Sequence, residues 1–386
     1  MGTRAATWRP IRWGSDVEPA ACIIETRDPK LRVHYTARAA DVAPVGCFGK
    51  VGTPSEASRY EGSYNDFLDL NPSGYAPGRD FVLEARQARG VFVSPSILYV
   101  LGESTFYRVG RKYLERETAV LASKDVARIT AFVDDLLAKD PEPVQHIAGT
   151  TIVLQGWSNF DHFIRQPLSS LLLSLDLCDA DARGQVHLLM SNLDERIIAF
   201  LEMLGFDRGK IVPFGGATYS FERLLYSPDG SRLKRPSDLY RRTAAFLSGC
   251  VDLPSSGAER IYVSRALARR RKIVNEAELE SRLATFGYVS IDPGQFTYAE
   301  QIAFFRQARC IVGPHGQGLA NAIFAAPMQC LVEIMPTTWM RPSYLRTAQM
   351  YGAAYGAYLV NPRKDGHCEV DVDAFLDFIR PLGALD

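Results

Sequence analysis

The stretch Ile311-Val312-Gly313-Pro314-His315-Gly316-Gln317-Gly318-Leu319-Ala320-Asn321 gathers groups that could do chemistry within a single turn. An apolar run of strand type enters a tight turn holding three glycines and a histidine, then passes straight into a helix-like segment. Glycine lets the backbone come close to a ligand. A helix start presents N–H groups without intrahelical partners and a partial positive charge. Together these suit a phosphate group. One such contact offers only about 0.3–1 kcal/mol, so several must converge to hold a diphosphate. The glycine spacing, G-x-x-G-x-G, is not the dinucleotide fingerprint G-x-G-x-x-G, and no Walker-type Lys-Ser/Thr pair follows. Both of those readings are excluded.

The elements that must position this turn repeat in a βα rhythm. Arg260–Ser264 predicts a strand, and Asn275–Phe286 a helix with Asn275 and Glu278 spaced as a capping box. Tyr288–Ile291 is the next strand, and Thr297 and Glu300 form a second capping box at the head of a helix Tyr298–Ala308. Strand Cys310–Gly313, helix Leu319–Ala326 and strand Cys330–Ile334 follow, and a helix Asp371–Ile379 lies near the end. Strand starts recur roughly every 20–28 residues, the period of parallel βαβ crossovers. An earlier unit has the same character: strand Thr151–Leu154, helix His162–Leu177, strand Val186–Met190, helix Asp194–Leu204 and strand Lys210–Pro213. Ser237–Cys250 reads as a connecting helix and Pro254–Gly257 as a linker. Strands alternating with helices predict parallel sheets covered on both faces. Before this, short β-rich pieces such as Gly90–Leu101 alternate with Gly/Pro turns near Asn71–Gly78, and a helix is expected over Lys124–Lys139. The predicted organisation is an irregular, partly β region 1–145, an α/β domain 146–254, a second α/β domain 255–370 and a C-terminal helix 371–386. Two open α/β domains in tandem would enclose a cleft, and such sheets bind ligands at the carboxyl ends of their strands.

Composition narrows the function classes. The 386 residues carry 44 basic and 44 acidic side chains, a formal net charge of zero. No global field draws the chain to nucleic acid. Its 7 cysteines are odd in number, scattered and never in C-x-x-C pairs, which argues against a disulfide framework or a zinc site and for a reduced, cytoplasmic protein. No stretch approaches the ~18 apolar residues of a membrane span. The pair Asp179-Ala180-Asp181 could hold a divalent metal if it stood at a strand end, but it follows a helix and reads as a solvated turn. Asp371-Val372-Asp373 reads as a helix cap. No metal site and no cofactor are expected.

The segment Ile261–Pro336 resembles glycosyltransferase family 61, bacterial proteins often labelled capsular polysaccharide biosynthesis proteins. The resemblance is carried by Tyr262-Val263-Ser264-Arg265, Arg271-Lys272-Ile273-Val274-Asn275-Glu276 and Glu300-Gln301. Gly313-Pro314-His315-Gly316-x-Gly318-Leu319-Ala320-Asn321 and Val332-Glu333-Ile334-x-Pro336 complete it. Upstream, Asn159-Phe160-x-His162-Phe163 resembles a segment of that family's N-terminal domain. Gln317 departs from the pattern, standing where the family usually has alanine. The resemblance implies a GT-B-like fold of two facing Rossmann-like domains and a nucleoside-diphosphate sugar donor, with a UDP-sugar first in line. It further implies metal-independent inversion at the anomeric carbon.

Such a transfer needs a base for the acceptor hydroxyl, positive charge for the departing diphosphate and a pocket for the sugar. Arg265, leaving a strand end, is nominated for the diphosphate with the backbone of Gly313, Gly316, Gly318 and Leu319; the plainer reading is a solvated arginine. Arg271 and Lys272 join it, whereas Arg269 and Arg270 read as a solvated turn. His315 either contacts phosphate or sugar or braces the loop, and Gln317 could reach the phosphates or acceptor. Glu333 is placed to accept ribose hydroxyls or to sit in a salt bridge. Asn321 more simply satisfies the loop backbone. His162 is the leading base, with Asp161 as base or helix cap, and Trp157 and Asn159 stand on the acceptor side. The acceptor is a hydroxyl of a glycan or glycolipid. A lipid-linked acceptor would bring the chain to the inner face of a membrane, although no anchoring amphipathic helix stands out. The rival reading is a catalytically inert nucleotide- or sugar-binding module that keeps the fold.

Overall fold

The computed structural model describes the strand backbones 33–37, 46–48, 81–88, 91–93, 98–101 and 106–109. It also describes residues 145–386 apart from 155–158, 176–177, 180–181, 191–192, 214–218, 227–237, 256, 340 and 342. Trp157, the turns near Asn71–Gly78 and the expected helix Lys124–Lys139 lie outside the described residues. The chain divides into two units. One comprises Met1–Thr36, Val82–Ser158 and His162–Arg232, and the other Ala37–Phe81, Asn159–Asp161 and Leu233–Asp386.

The first unit holds a nine-stranded sheet: β1 (Val33–Ala37), β3 (Phe81–Ala88), β4 (Val91–Val93), β5 (Leu98–Leu101), β6 (Phe106–Val109), β7 (Gln145–Leu154), β8 (His187–Met190), β9 (Ile211–Pro213) and β10 (Tyr219–Tyr226). Strands β10, β7, β8 and β9 run parallel, whereas β3 and β4 pair antiparallel with β10, and β5 and β6 extend that antiparallel edge. The expected strands 151–154, 186–190 and 210–213 fall in β7, β8 and β9 and are parallel, and the antiparallel edge comes from 81–109, within the region expected to be irregular and partly β. The connections between β3 and β6 are of hairpin length, and a parallel pair needs a crossover of a dozen or more residues. The first helix among the described residues, α1, is α-helical at its ends (Phe160–Phe163 and Ser169–Leu175) and π-helical between them (Ile164–Leu168), where Pro167 lies inside. A proline removes one N–H and crowds the preceding turn, which favours such a local widening. Helix α2 (Glu195–Met203) is capped by the Asp194 carboxylate, which accepts from Ile197 N at 2.9 Å.

The second unit is a doubly wound, Rossmann-like α/β fold. Its strands β11 (Arg260–Val263), β12 (Val289–Ile291), β13 (Cys310–Pro314), β14 (Cys330–Pro336), β15 (Ala354–Val360) and β2 (Gly46–Phe48) are all parallel, in the order β12-β11-β13-β14-β15-β2. Every residue of β13 and β14 is buried. Strands covered on both faces read as unbroken apolar runs, and this made them visible in the sequence. The helices are α3 (Asp238–Cys250), α4 (Glu276–Ala284), α5 (Tyr298–Phe305), α6 (Ser343–Tyr351) and α7 (Val372–Ile379). The Thr297–Glu300 capping box forms as expected. The Asn275 box does not. Asn275 turns its amide to the backbone of Val370, donating at 2.8 Å and accepting at 3.1 Å, and so ties two remote segments together. Helix α7 belongs to the core: Phe375 meets Tyr358 edge-on at 5.1 Å.

The segment after β13, expected as an α-helix over Leu319–Ala326, is a 3₁₀ helix spanning Gln317–Phe324. Runs of this length are uncommon, since three residues per turn stack side chains poorly. Here the side chain of buried Asn321 holds the winding, donating to Gly318 O at 3.1 Å and to Gln301 Oε1 at 2.9 Å.

Candidate functional site

Strand order reverses between β11 and β13. Strand β12 lies on one side of β11 and β13 on the other, so their crossovers leave by opposite faces, the arrangement that opens a crevice at the carboxyl ends of doubly wound sheets. Arg265 leaves β11 at that edge, and the Gly313–Gly318 turn leaves β13 there. Topology alone therefore brings the two strongest sequence features together.

Arg265 is held from behind by Glu276, whose Oε1 accepts from Arg265 N at 2.8 Å and from the Tyr262 hydroxyl at 2.9 Å. Burial holds the Glu276 carboxyl above the usual carboxylate range. From this fixed start the Arg265 side chain crosses to the turn and lies flat on Gly316. A Cβ built on Gly316 would stand 1.7 Å from Arg265 Nη1. Nη2 donates to Arg270 O at 3.0 Å, while Nε is buried and has no partner among the described residues. Arg271 closes the same loop in a left-handed conformation, φ 56°, which costs a non-glycine residue roughly 1–3 kcal/mol. Its Nη1 is likewise buried without a partner, and its guanidinium lies 5.6 Å from the Trp339 ring. Both arginines sit below the usual arginine range, each chiefly through burial. For Arg265 the positive charge of Arg271 adds to the effect. Two half-buried cations that repel each other and leave N–H groups unused form a site complementary to an anion.

The three glycines make room for the protein's own atoms. At Gly313 a Cβ would meet Val263 Cβ at 2.9 Å and Val263 O at 3.0 Å, and at Gly318 it would meet Val263 Cγ1 at 2.8 Å. These two let the turn sit directly on β11. Gly316 lets Arg265 approach. Its φ of 171° is extended backbone open to any residue, so close approach rather than torsion requires the glycine. Gly316 O accepts from the Tyr344 hydroxyl at 2.6 Å and from Leu319 N at 3.0 Å, which fixes the turn from α6 and from within.

Beneath the turn lies a buried polar relay. His315 Nδ1 is 2.6 Å from Glu333 Oε1, and the Tyr355 hydroxyl donates to Glu333 Oε2. Burial, then the neighbouring Glu333, pushes the Tyr355 hydroxyl well above its ordinary range. Glu333 is 0% exposed and both its oxygens are engaged, so it presents no atom to a ribose. The ribose assignment therefore gives way to a role as the partner of His315, itself 6% exposed.

The structure thus gathers Arg265, Arg271, Gly313, His315, Gly316, Gln317, Gly318, Leu319, Asn321 and Glu333 within one unit. Gln317 is exposed at the helix start; Leu319 and Asn321 are buried and support it. Lys272 lies beside them, its N–H donating to His367 Nδ1 at 3.2 Å. His162 is half-buried in α1 of the first unit, whereas Asn159 and Asp161 group with the second. Next to them Phe160 stacks on Tyr298 at 4.3 Å. Sequence reasoning missed Tyr344, Tyr355 and Trp339 and gave Glu276 no separate role. Glu276 had a signal, since it lies in a quoted motif. The tyrosines had none, because their partners are remote in the chain.

Among the described residues no three His, Cys, Asp or Glu side chains cluster as a metal site, and no helix is long and apolar enough to cross a membrane. Residues 160–332 match the family model described as Glycosyltransferase 61. The match runs through residues of both units and covers a little under half of the chain. It supports a transferase acting between a sugar donor and an acceptor. No curated protein matches the chain.

Proposed function

We propose that the chain is an inverting, metal-independent glycosyltransferase. It moves a sugar from a nucleoside-diphosphate sugar, a UDP-sugar in the first instance, to a hydroxyl of a glycan or glycolipid in surface polysaccharide synthesis. The observation that carries this reading is the pair of half-buried guanidinium groups, Arg265 and Arg271, set against the Gly316 turn at the switch point of a doubly wound sheet.

In the proposed reaction the acceptor oxygen attacks the anomeric carbon from the face opposite the diphosphate. The bond from that carbon to the phosphate oxygen breaks, and its electron pair stays on the oxygen. Arg265, Arg271 and the main-chain amides entering the 3₁₀ helix stabilise the charge that develops there. The acceptor hydroxyl loses its proton to a base, for which His162 or Asp161 is proposed. Gln317, exposed at the head of the helix, is proposed to line the donor site.

A thermal-shift panel of nucleoside diphosphates and their sugars tests the reading, because a ligand that binds only the folded state raises the midpoint by mass action. At least one nucleoside diphosphate is expected to stabilise the chain. Arg265→Ala is expected to weaken that ligand by roughly tenfold or more, the scale of a lost charged hydrogen bond. Arg265→Lys should restore little, since an ammonium cannot reproduce the planar fork. Turnover is expected to survive excess chelator and to give a product of inverted anomeric configuration by NMR. Binding without any transfer would leave an inert module, and no binding by any nucleotide would remove the donor site.

A further inference from the structure

Glu333 turns both oxygens inward, and that decides what His315 can offer a ligand. We infer that anion binding at the Gly316 turn draws a proton onto His315, so that donor binding is coupled to proton uptake. The inference rests on the diphosphate reading of that turn and deepens it.

An ionised carboxylate has only acceptors. With Glu333 Oε1 at 2.6 Å and Tyr355 donating to Oε2, the hydrogen of the imidazole lies on Nδ1. A neutral ring in this arrangement carries a lone pair on Nε2, which makes no bond to any group among the described residues. The proposed site brings phosphate oxygens to the turn that carries His315, and a lone pair on Nε2 would repel them. Nε2 becomes a donor only when the ring takes a second proton, which comes from the solvent. Among the described residues, the charged and titratable groups placed around the ring come from four elements. Glu333 stands on β14, and Tyr355 on β15 acts through that carboxylate. Tyr344 on α6 has its ring 5.5 Å away, and Arg265 from the end of β11 lies on the adjacent Gly316. Arg265, with Arg271 behind it, opposes a third positive charge at the turn. Glu333 and an incoming diphosphate both favour it. The proton therefore enters with the anion, and Glu333 acts as a positioning residue that fixes the ring and balances its charge.

Calorimetric titration of the full chain with UDP, GDP, CDP and ADP, at one pH in two buffers of very different ionisation enthalpy, reads the proton directly. The nucleotide that binds is expected to show a buffer-dependent enthalpy with the sign of proton uptake, and an affinity that falls as pH rises. His315→Gln is expected to bind roughly tenfold more weakly and to lose the buffer dependence. Glu333→Gln keeps an oxygen for Nδ1–H but removes the balancing charge, so its proton uptake should shrink. A merely structural role for Glu333 would leave the proton count unchanged. Binding with the same enthalpy in both wild-type titrations, or uptake that persists in His315→Gln, overturns the coupling while leaving the diphosphate site intact. Failure of all four nucleotides to bind overturns the site itself, and the coupling with it.

Discussion

Replacing Gly316 with alanine is expected to weaken nucleoside-diphosphate binding as much as Arg265→Ala does, roughly tenfold or more, while the chain keeps nearly all of its stability. The new methyl would stand 1.7 Å from Arg265 Nη1 and 2.7 Å from Cζ, so the guanidinium must leave the turn. It can do so cheaply, being the far end of a flexible side chain, and the backbone at Gly316 is already extended. Gly313→Ala should behave in the opposite way. Its methyl meets Val263 Cβ at 2.9 Å, Val263 O at 3.0 Å and Leu319 Cδ2 at 3.3 Å inside the sheet core, where neighbours cannot swing aside. Forcing a methyl into a packed interior costs about 1–3 kcal/mol. Denaturant melts read beside nucleotide titrations separate the two effects. A double variant adds a sharper check. If Gly316 acts through Arg265, combining Gly316→Ala with Arg265→Ala should bind no more weakly than Arg265→Ala alone. Additive losses would show that the glycine serves the ligand by another route.

The second large effect is expected at Glu333. Truncation to alanine leaves the Tyr355 hydroxyl and the His315 Nδ1 hydrogen buried without acceptors. Each such group costs about 1–3 kcal/mol, and the cavity adds to that. The loss should therefore amount to several kcal/mol, and it should appear in the transition of the second unit. Glu333→Gln should be far milder, since the amide oxygen still accepts from Nδ1 and the tyrosine hydroxyl can rotate to accept from the amide. A ribose-binding carboxylate predicts a different pattern. It would give little loss of stability on truncation and a marked difference between ribo- and 2′-deoxynucleoside diphosphates in the wild type. Equal affinity for the two, together with a destabilised Glu333→Ala, is the outcome expected from a carboxylate that is 0% exposed.

Residues that act on near neighbours were readable in one dimension. The Thr297 and Glu300 spacing placed a cap three residues across, and the apolar runs Cys310–Gly313 and Cys330–Ile334 announced strands covered on both faces. The same logic failed where a signal was diluted. Strand β15 contains Gly356, which weakens a strand pattern, and the reason for the glycine lies at Leu382 and Phe378, whose side chains press on that position. Asn275 and Glu278 had the right spacing for a capping box, but a backbone 95 residues away competed for the amide and won it.

From the sequence alone came the parts: the glycine turn, the arginine at a strand end, the buried strands and the βα period that makes neighbouring strands parallel. These are properties of a few consecutive residues, set by steric limits, burial and short-range hydrogen bonds. Only the tertiary structure decided how the parts meet. It put β11 beside β13 so that Arg265 lies on Gly316, turned Glu333 inward to His315 and Tyr355, and added residues 46–48 as the outer strand. Those outcomes depend on the order of strands in a sheet, which follows from the packing of segments remote in the chain, and periodicity does not report it.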